Sequence, residues 1–201
     1  MGALPPFLFY GMGERMKKKG FTVIELLIVI ATLSVLAAIL LPKLNNMIEK
    51  RKALRLYDTA VKIEAALSEF YKDCGTYPNN NAIGLLWNKN WATAGNVMSG
   101  VDPSNCWQGP YIDPLPPNQL SYFYSPFGTA SRCTVTTDGA DINGTGNATD
   151  IYVRCLNIPQ SAAEILEKKI DGSYQADYGR GDFLATCTNR NCTIEIVIDE
   201  F

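Results

Sequence analysis

The stretch FTVIELLIVIATLSVLAAILL, from Phe21 to Leu41, decides the architecture that this chain can adopt. It contains 21 residues and a single charged side chain, Glu25. About 20 apolar residues are enough for a helix to cross a hydrocarbon layer of about 30 Å. A soluble domain of this size has no need for a helix that is apolar on every side. The stretch therefore predicts a transmembrane helix.

Basic residues lie on both sides of this apolar stretch, so charge alone decides little about its orientation. They are Arg15, Lys17, Lys18 and Lys19 before it, and Lys43, Lys50, Arg51, Lys52 and Arg55 after it. A secretory signal peptide would have an apolar core of roughly 7–15 residues and then a small-residue cleavage site, whereas this run is longer and ends in LLPKL. An uncleaved signal anchor stays open, but it gives no role to Glu25. A carboxylate within a membrane segment is a functional candidate by default, and the alternative is that it reaches the headgroups from near the helix end.

Composition excludes several classes of function. The chain has 201 residues, a net charge of −2 and no histidine. Its charge gives no support to nucleic-acid binding as a main task, and the lack of histidine excludes His-based catalytic triads and mixed Cys/His zinc sites. No GxSxG motif, P-loop or evident pairing of nucleophile and base is present, so an enzyme is not expected.

Six cysteines all follow the apolar stretch, and none forms a CxxC pair. An even number on one side of a membrane favours disulfides in an oxidising compartment, which places the C-terminal part outside the cytoplasm; buried free thiols are the alternative. Cys187 and Cys192 have the spacing of a hairpin staple, Cys133 and Cys155 can join neighbouring strands, and Cys74 and Cys106 can tie a helix end to a loop. We therefore expect the pairs Cys187–Cys192, Cys133–Cys155 and Cys74–Cys106.

The chain beyond Pro42 predicts an amphipathic helix and then a sheet. One helical stripe comprises Leu56, Ala60, Ile63, Leu67, Phe70 and Cys74, and the helix should end near Cys74–Gly75. Residues 79–119 show little period. Strands are expected at Leu120–Ser125, Arg132–Thr137, Asp150–Leu156 and Cys192–Glu200. A short helix is expected after Pro159, with Ser161 as its cap. The fold class is therefore α+β, with a long N-terminal helix packed on a small antiparallel sheet.

The segment KKKGFTVIELLIVI closely resembles the leader-peptidase and methylation site of type IV pilins and type II secretion pseudopilins. The resemblance implies cleavage after Gly20, methylation of the new amine of Phe21 by the same membrane peptidase, and pairing of Glu25 with the N-terminal ammonium of a neighbouring subunit. Pro42 stands at the twenty-second position of the mature chain, where this family commonly has proline. Met12 or Met16 would give a leader of more ordinary length than Met1.

The resemblance also implies a division into four parts and a location. Residues 1–20 are the leader, 21–42 the transmembrane and assembly helix, 43–74 its amphipathic continuation, and 75–201 the head. The N-terminus lies in the cytoplasm and the head in the periplasm or outside the cell, on a single-pass protein of a bacterial inner membrane. The basic cluster from Lys50 to Arg55 has two interpretations: contact with lipid headgroups or a neighbouring subunit, or a solvated helix face.

Two segments of the head resemble the major pseudopilin of type II secretion: YKDCGTYPNN (Tyr71–Asn80) and GPYIDPLPPNQLSYFYSPFG (Gly109–Gly128). The Asp-Pro-Trp-Gly element of that family is missing, although Ser125–Gly128 is a distant counterpart, and its calcium loop is not clearly present. A separate stretch, DGADINGTGNATD, offers hard oxygen ligands of the kind that calcium prefers. These candidates are Asp138, Asp141, Asn143 and Asp150; the alternative is a polar surface turn.

The leading hypothesis is a structural filament subunit without a catalytic centre, serving a secretion pseudopilus or a pilus. Its expected partners are identical or homologous pilin subunits, the prepilin peptidase and methyltransferase, the inner-membrane assembly platform and membrane lipid, with no nucleic acid required. The alternative is a membrane-anchored minor pilin that acts as an adhesin or as a ligand- or DNA-binding tip protein. Its contacts would be Trp87, Trp91 and Trp107 if these are exposed, although buried loop tryptophans are commoner.

Overall fold

The computed structural model describes residues 21–137, 150–172 and 182–200, with side chains described up to residue 198. The chain divides into two compact units, Met1–Lys43 and Leu44–Phe201. The first unit contains the first part of helix α1 (Val23–Cys74), up to Lys43, and the second part of α1 begins at Leu44. The second unit contains the rest of that helix and all of the sheet.

Helix α1 runs from Val23 to Cys74 and includes Pro42. It begins two residues later than Phe21, because Thr22 serves as its N-cap. Its end agrees with the sequence prediction: Gly75 has a φ of 65°, and its N–H donates to the carbonyl of Tyr71 at 2.7 Å. This left-handed residue at the helix end is readily provided by glycine.

The second part of α1 buries one face in the core of the head, as the apolar stripe predicted. The fully or almost fully buried residues of the helix are Ala53, Leu56, Ala60, Ile63, Ala66, Leu67 and Phe70. They form one cluster with residues of the sheet, such as Val135, Val153 and Ile194, and with Leu85 and Leu86. These two leucines belong to residues 79–119, the loop region. The last stripe residue, Cys74, is half-buried at the edge of this cluster.

Within residues 21–137, 150–172 and 182–200, the sheet has five antiparallel strands in the order β1-β2-β3-β5-β4. Their bounds are Phe123–Tyr124 (β1), Arg132–Thr136 (β2), Asp150–Pro159 (β3), Phe183–Thr188 (β4) and Asn191–Glu200 (β5). Strand β1 is shorter than the sequence predicted, β3 is longer, and β4 lies in a stretch for which no strand was named. Asn189 and Arg190 join β4 to β5 with positive φ values of 52° and 69°, as a two-residue hairpin turn requires.

Residues 79–119, for which the sequence gave little period, contain four 3-10 helices. These are Ile83–Leu86, Lys89–Trp91, Ala94–Asn96 and Pro103–Asn105. The segment remains packed on the head because its first 3-10 helix is entirely buried. An isolated bridge between Pro78 and Val97 closes part of it.

Helix α2 runs from Gln160 to Ile170 and starts after Pro159, as predicted. The prediction that Ser161 caps it was wrong. Pro159 is the N-cap and no side chain caps the helix, while the hydroxyl of Ser161 donates to the Glu49 carboxylate of α1 at 2.5 Å. The first turn of α2 therefore interacts with a negative charge from a distant part of the chain, which the helix dipole favours.

Candidate assembly site

The start of α1 forms a reciprocal capping arrangement between Thr22 and Glu25. The backbone N–H and the hydroxyl of Thr22 each donate to Oε2 of Glu25 at 2.8 Å, and the N–H of Glu25 approaches the Thr22 hydroxyl at 3.3 Å. This is the capping box that the spacing Thr-x-x-Glu encodes. This local role of Glu25 was not predicted, although the spacing Thr-x-x-Glu indicates it.

The capping box has a consequence for the chemistry of Glu25. One oxygen of its carboxylate already accepts two hydrogen bonds from its own chain, which fixes the side chain against the first turn of the helix. Phe21, just before the box, is 89% exposed. Gly20, the residue after which cleavage is expected, lies outside the described residues.

The apolar first part of α1 is exposed along its whole length. Among the described residues this is the one helix that is long and apolar enough to cross a membrane, by length and composition, and none of its most apolar window is buried in the protein. Its hydroxyl groups bond within the helix: Thr32 donates to the carbonyl of Val29 at 2.9 Å and Ser34 to that of Ile30 at 2.7 Å. Internal bonding of this kind suits a helix surrounded by hydrocarbon.

The six cysteines meet as Cys74–Cys106, Cys133–Cys155 and Cys187–Cys192. These are the three pairs named from the sequence. Two of them join residues directly opposite each other on neighbouring strands, β2 with β3 and β4 with β5. The third ties the end of α1 to the last 3-10 helix of the loop region, with 5.2 Å between the Cα atoms.

The three tryptophans are structural elements of the loop region and not exposed contact residues. Trp87 is 6% exposed, and its Nε1 donates to the side chain of Asn118 at 2.9 Å. Trp91 packs edge-on against Trp87 and is half-buried. Trp107 is also half-buried, and its Nε1 donates to the carbonyl of Leu85 at 2.8 Å.

The loop region is also held to the end of α1 by a polar contact. The hydroxyl of Tyr111 donates to Oδ2 of Asp73 at 2.8 Å and accepts from the N–H of Gln108 at 3.0 Å. Burial raises the pKa of Tyr111, and the nearby Asp73 carboxylate raises it further. Tyr111 therefore stays protonated, as this hydrogen bond requires. No sequence pattern indicated this contact, because Asp73 and Tyr111 are far apart along the chain.

The calcium prediction is largely untested. Asp138, Asp141 and Asn143 lie outside the described residues, while Asp150 is buried as the first residue of β3. Within the described parts of the chain, no group of three or more His, Cys, Asp and Glu side chains is arranged to hold a metal ion.

Two family models match the chain, one after the other. The prokaryotic N-terminal methylation motif matches residues 15–41, and the type II secretion system protein G model matches residues 46–154. The second match covers the second part of α1, the loop region and the first strands of the sheet.

Curated relatives agree with these matches. The type II secretion system core protein G of Vibrio cholerae is 30% identical over 150 residues, which are 73% of this chain and 97% of that protein. The fimbrial protein EcpC of Eikenella corrodens is 42% identical over 65 residues, 32% of this chain and 42% of that protein. The type IV major pilin protein PilE1 of Neisseria gonorrhoeae is 37% identical over 68 residues, 34% of this chain and 32% of that protein. The chain thus spans less than half the length of these two pilins, and no solved structure matches it significantly.

Proposed function

Because the chain belongs to the type II secretion system protein G family, we propose that it is a structural subunit of a secretion pseudopilus or of a related type IV pilus filament. The observation that carries the proposal is the first part of α1, an exposed apolar helix whose one charged side chain lies in its first turn. A compact, disulfide-linked head follows on the same chain. A helix of this kind has two suitable environments, the membrane and a bundle of like helices.

The proposed maturation follows from the methylation motif. Residues 1–20 form a leader, a prepilin peptidase cuts after Gly20, and the same enzyme methylates the new amine of Phe21. Residues 21–42 then form the transmembrane and assembly helix, 43–74 its amphipathic continuation and 75–201 the head. The chain itself acts as a building block and not as an enzyme.

Glu25 is the proposed assembly residue. A carboxylate and an ammonium are each unfavourable alone in an apolar bundle, whereas a close pair is tolerated. We propose that Glu25 pairs with the N-terminal ammonium of Phe21 on a neighbouring subunit while the capping box holds the carboxylate in place. Such a pair fixes the axial register, which uniform apolar side chains do not define.

The proposed location follows from the same parts. Before assembly, the subunit spans the bacterial inner membrane once, with its N-terminus in the cytoplasm and its head in the periplasm. Its partners are like subunits, the peptidase, membrane lipid and an inner-membrane assembly platform. The alternative function, a ligand- or DNA-binding tip protein, draws no support from the three tryptophans, since none of them is exposed.

N-terminal sequencing with mass spectrometry of the mature protein tests the maturation. The expected chain begins at N-methylated Phe21, and a cut beyond Pro42 would contradict the proposal.

Two variants separate the charge of Glu25 from its capping role. Glu25→Gln keeps a side chain suited to the capping box but removes the charge, whereas Thr22→Ala removes the capping hydroxyl and keeps the charge. Both should insert in the membrane. Only Glu25→Gln should lose filaments, and normal filaments from it would refute the pairing.

A further inference from the structure

A groove lined by both apolar side chains and carboxylates opens on the head beside α1. Its volume is about 330 Å³, and it lies between the second part of α1, the end of α2 and strand β5. Tyr57 and Val61 of α1 and Ile196 and Ile198 of β5 form apolar parts of its wall. Val61 is 43% exposed, so the groove offers apolar surface to a side chain that enters it.

Two exposed carboxylates, Glu64 and Asp182, line the same groove. Neither forms an ion pair with another described residue. Among the described residues, Arg154–Glu195 is the one salt bridge. Asp171 lies beside them: burial raises its pKa, and the negative charge of Asp182 raises it further. Lys169 also comes close, but its Nζ lies 5.5 Å from the ring centroid of Tyr57 and makes no ion pair with Glu64 or Asp182. The described residues of the groove therefore combine apolar side chains with unbalanced negative charge.

A side chain that suits this groove has a long aliphatic stem and a cationic end, which is the chemistry of arginine. The chain itself carries two such residues on an exposed face of α1. Arg51 and Arg55 are four residues apart, so they lie on one side of the helix. Neither forms an ion pair with another described residue.

The arginines are unable to reach the groove of their own chain. At 3.6 residues per turn, Arg55 is rotated by about 180° and Arg51 by about 140° around α1 from Glu64. The guanidinium groups thus leave the helix on the side opposite the groove. Lys50 provides a contrast, because it is rotated by only about 20° from Val61 and lies on the groove side.

We propose that the groove of one copy of this protein binds Arg51 and Arg55 of a second copy. The inference rests on the proposed function and names a contact surface for it. The arginine pair and the groove are different surfaces on opposite sides of α1. After one contact has formed, one copy therefore still has a free arginine pair and the other still has a free groove. Such a heterologous contact continues from copy to copy and builds an open assembly, not a closed dimer. Glu64 follows Arg55 by nine residues and Arg51 by thirteen, so the two copies would be shifted along the helix by about 14–20 Å. The Glu25–Phe21 pair implies a shift of only about 6 Å, so the two contacts would join a copy to different neighbours.

Charge reversal and its rescue test this contact in the full-length chain, expressed with its assembly machinery. The readout is the amount of filament sheared from cells, normalised to the amount of subunit in the membrane. Arg51→Glu with Arg55→Glu should lower the yield by about tenfold or more, and so should Glu64→Lys with Asp182→Lys, because each places like charges opposite each other. A chain with all four substitutions should recover a yield within about threefold of wild type, since the attraction is restored with its signs exchanged. That recovery would also show that the substituted heads fold.

Lys50→Glu is the matched control. It makes the same change of charge as the single variant Arg51→Glu, but about 100° further around the helix, on the groove side. It should leave the yield within about twofold of wild type, whereas Arg51→Glu should lower it. If an anionic lipid surface were the occupant of the arginines, Lys50→Glu would lower the yield as much as Arg51→Glu, and the fourfold variant would not recover. Either result overturns the inference. Absence of filaments from the wild-type chain would refute the proposed function itself, whereas wild-type filaments with no effect of charge reversal would refute this contact alone.

Discussion

Removal of the Cys74–Cys106 disulfide should destabilise the head more than removal of the hairpin disulfide Cys187–Cys192. A disulfide stabilises mainly by limiting the unfolded chain, and the effect grows with the length of the loop that it closes. The sequence separation is 32 for Cys74–Cys106 and 5 for Cys187–Cys192. The two bonds therefore differ strongly in the quantity that sets their contribution.

The loop-entropy relation gives the magnitude. At 25 °C it predicts a loss of about 3.7 kcal/mol for the first bond and about 2.1 kcal/mol for the second, a difference of about 1.6 kcal/mol. Cys74 and Cys106 are each only half-buried, so Cys74→Ala with Cys106→Ala removes less packing than substitution of a fully buried cysteine would. Cys192 is 1% exposed. Cys187→Ala with Cys192→Val is therefore the better second variant, because valine keeps the buried apolar volume.

The assay is urea unfolding of the full chain in mild detergent, followed by tryptophan fluorescence. Trp87, Trp91 and Trp107 all lie in the loop region of the head and report on its unfolding. With a slope near 2 kcal/mol per molar urea, the midpoints should fall by about 1.8 M and about 1 M. Mass mapping should show that the other two disulfides remain formed in each variant. Equal losses, or a larger loss from the hairpin pair, would refute the loop-length reasoning for this head.

Three further predictions concern the head. Leu67→Ala should destabilise it by about 2–5 kcal/mol in the same urea assay, since it leaves a cavity under α1, and a loss below 1 kcal/mol would contradict the packing described. Tyr111→Phe should cost about 1 kcal/mol through the lost hydrogen bond to Asp73, and an unchanged urea midpoint would argue against that bond. Burial and Asp182 raise the pKa of Asp171, so ionised Asp171 opposes folding and stability falls as pH rises from the ordinary aspartate pKa through the raised one. Asp171→Asn should therefore raise the melting temperature at pH 7 but not at pH 3, and equal shifts at both would be inconsistent with this cause.

The elements that the sequence predicted best are those whose signal is local. The apolar stretch and the stripe from Leu56 to Phe70 follow from the period of a single helix, and the structure buries the stripe as expected. The end of α1 also followed from a local signal, the glycine at position 75. The α+β class was confirmed because the strand runs carry β-branched and aromatic residues in alternation.

The features that were missed or wrong depend on partners far along the chain, with one exception. Ser161 had the right type and place for a cap, but its hydroxyl meets Glu49, 112 residues away. Strand β4 reads FLATCT, whose small and polar residues give a weak strand signal until β5 pairs with it. The exception is the Thr22–Glu25 capping box, which the spacing indicates, although Glu25 was predicted to pair with a neighbouring subunit or to reach the headgroups.

That capping box lies entirely downstream of Gly20. Its donors and acceptors belong to residues 22 and 25, so a cut before Phe21 removes none of the groups that begin the helix. Precursor and mature chain can therefore share one helix start, and maturation changes the charge at the N-terminus without requiring the helix to refold. Helix formation and cleavage are therefore separate steps. A precursor that cannot be cleaved should form the same first helical turn as the mature subunit, because that turn does not depend on cleavage.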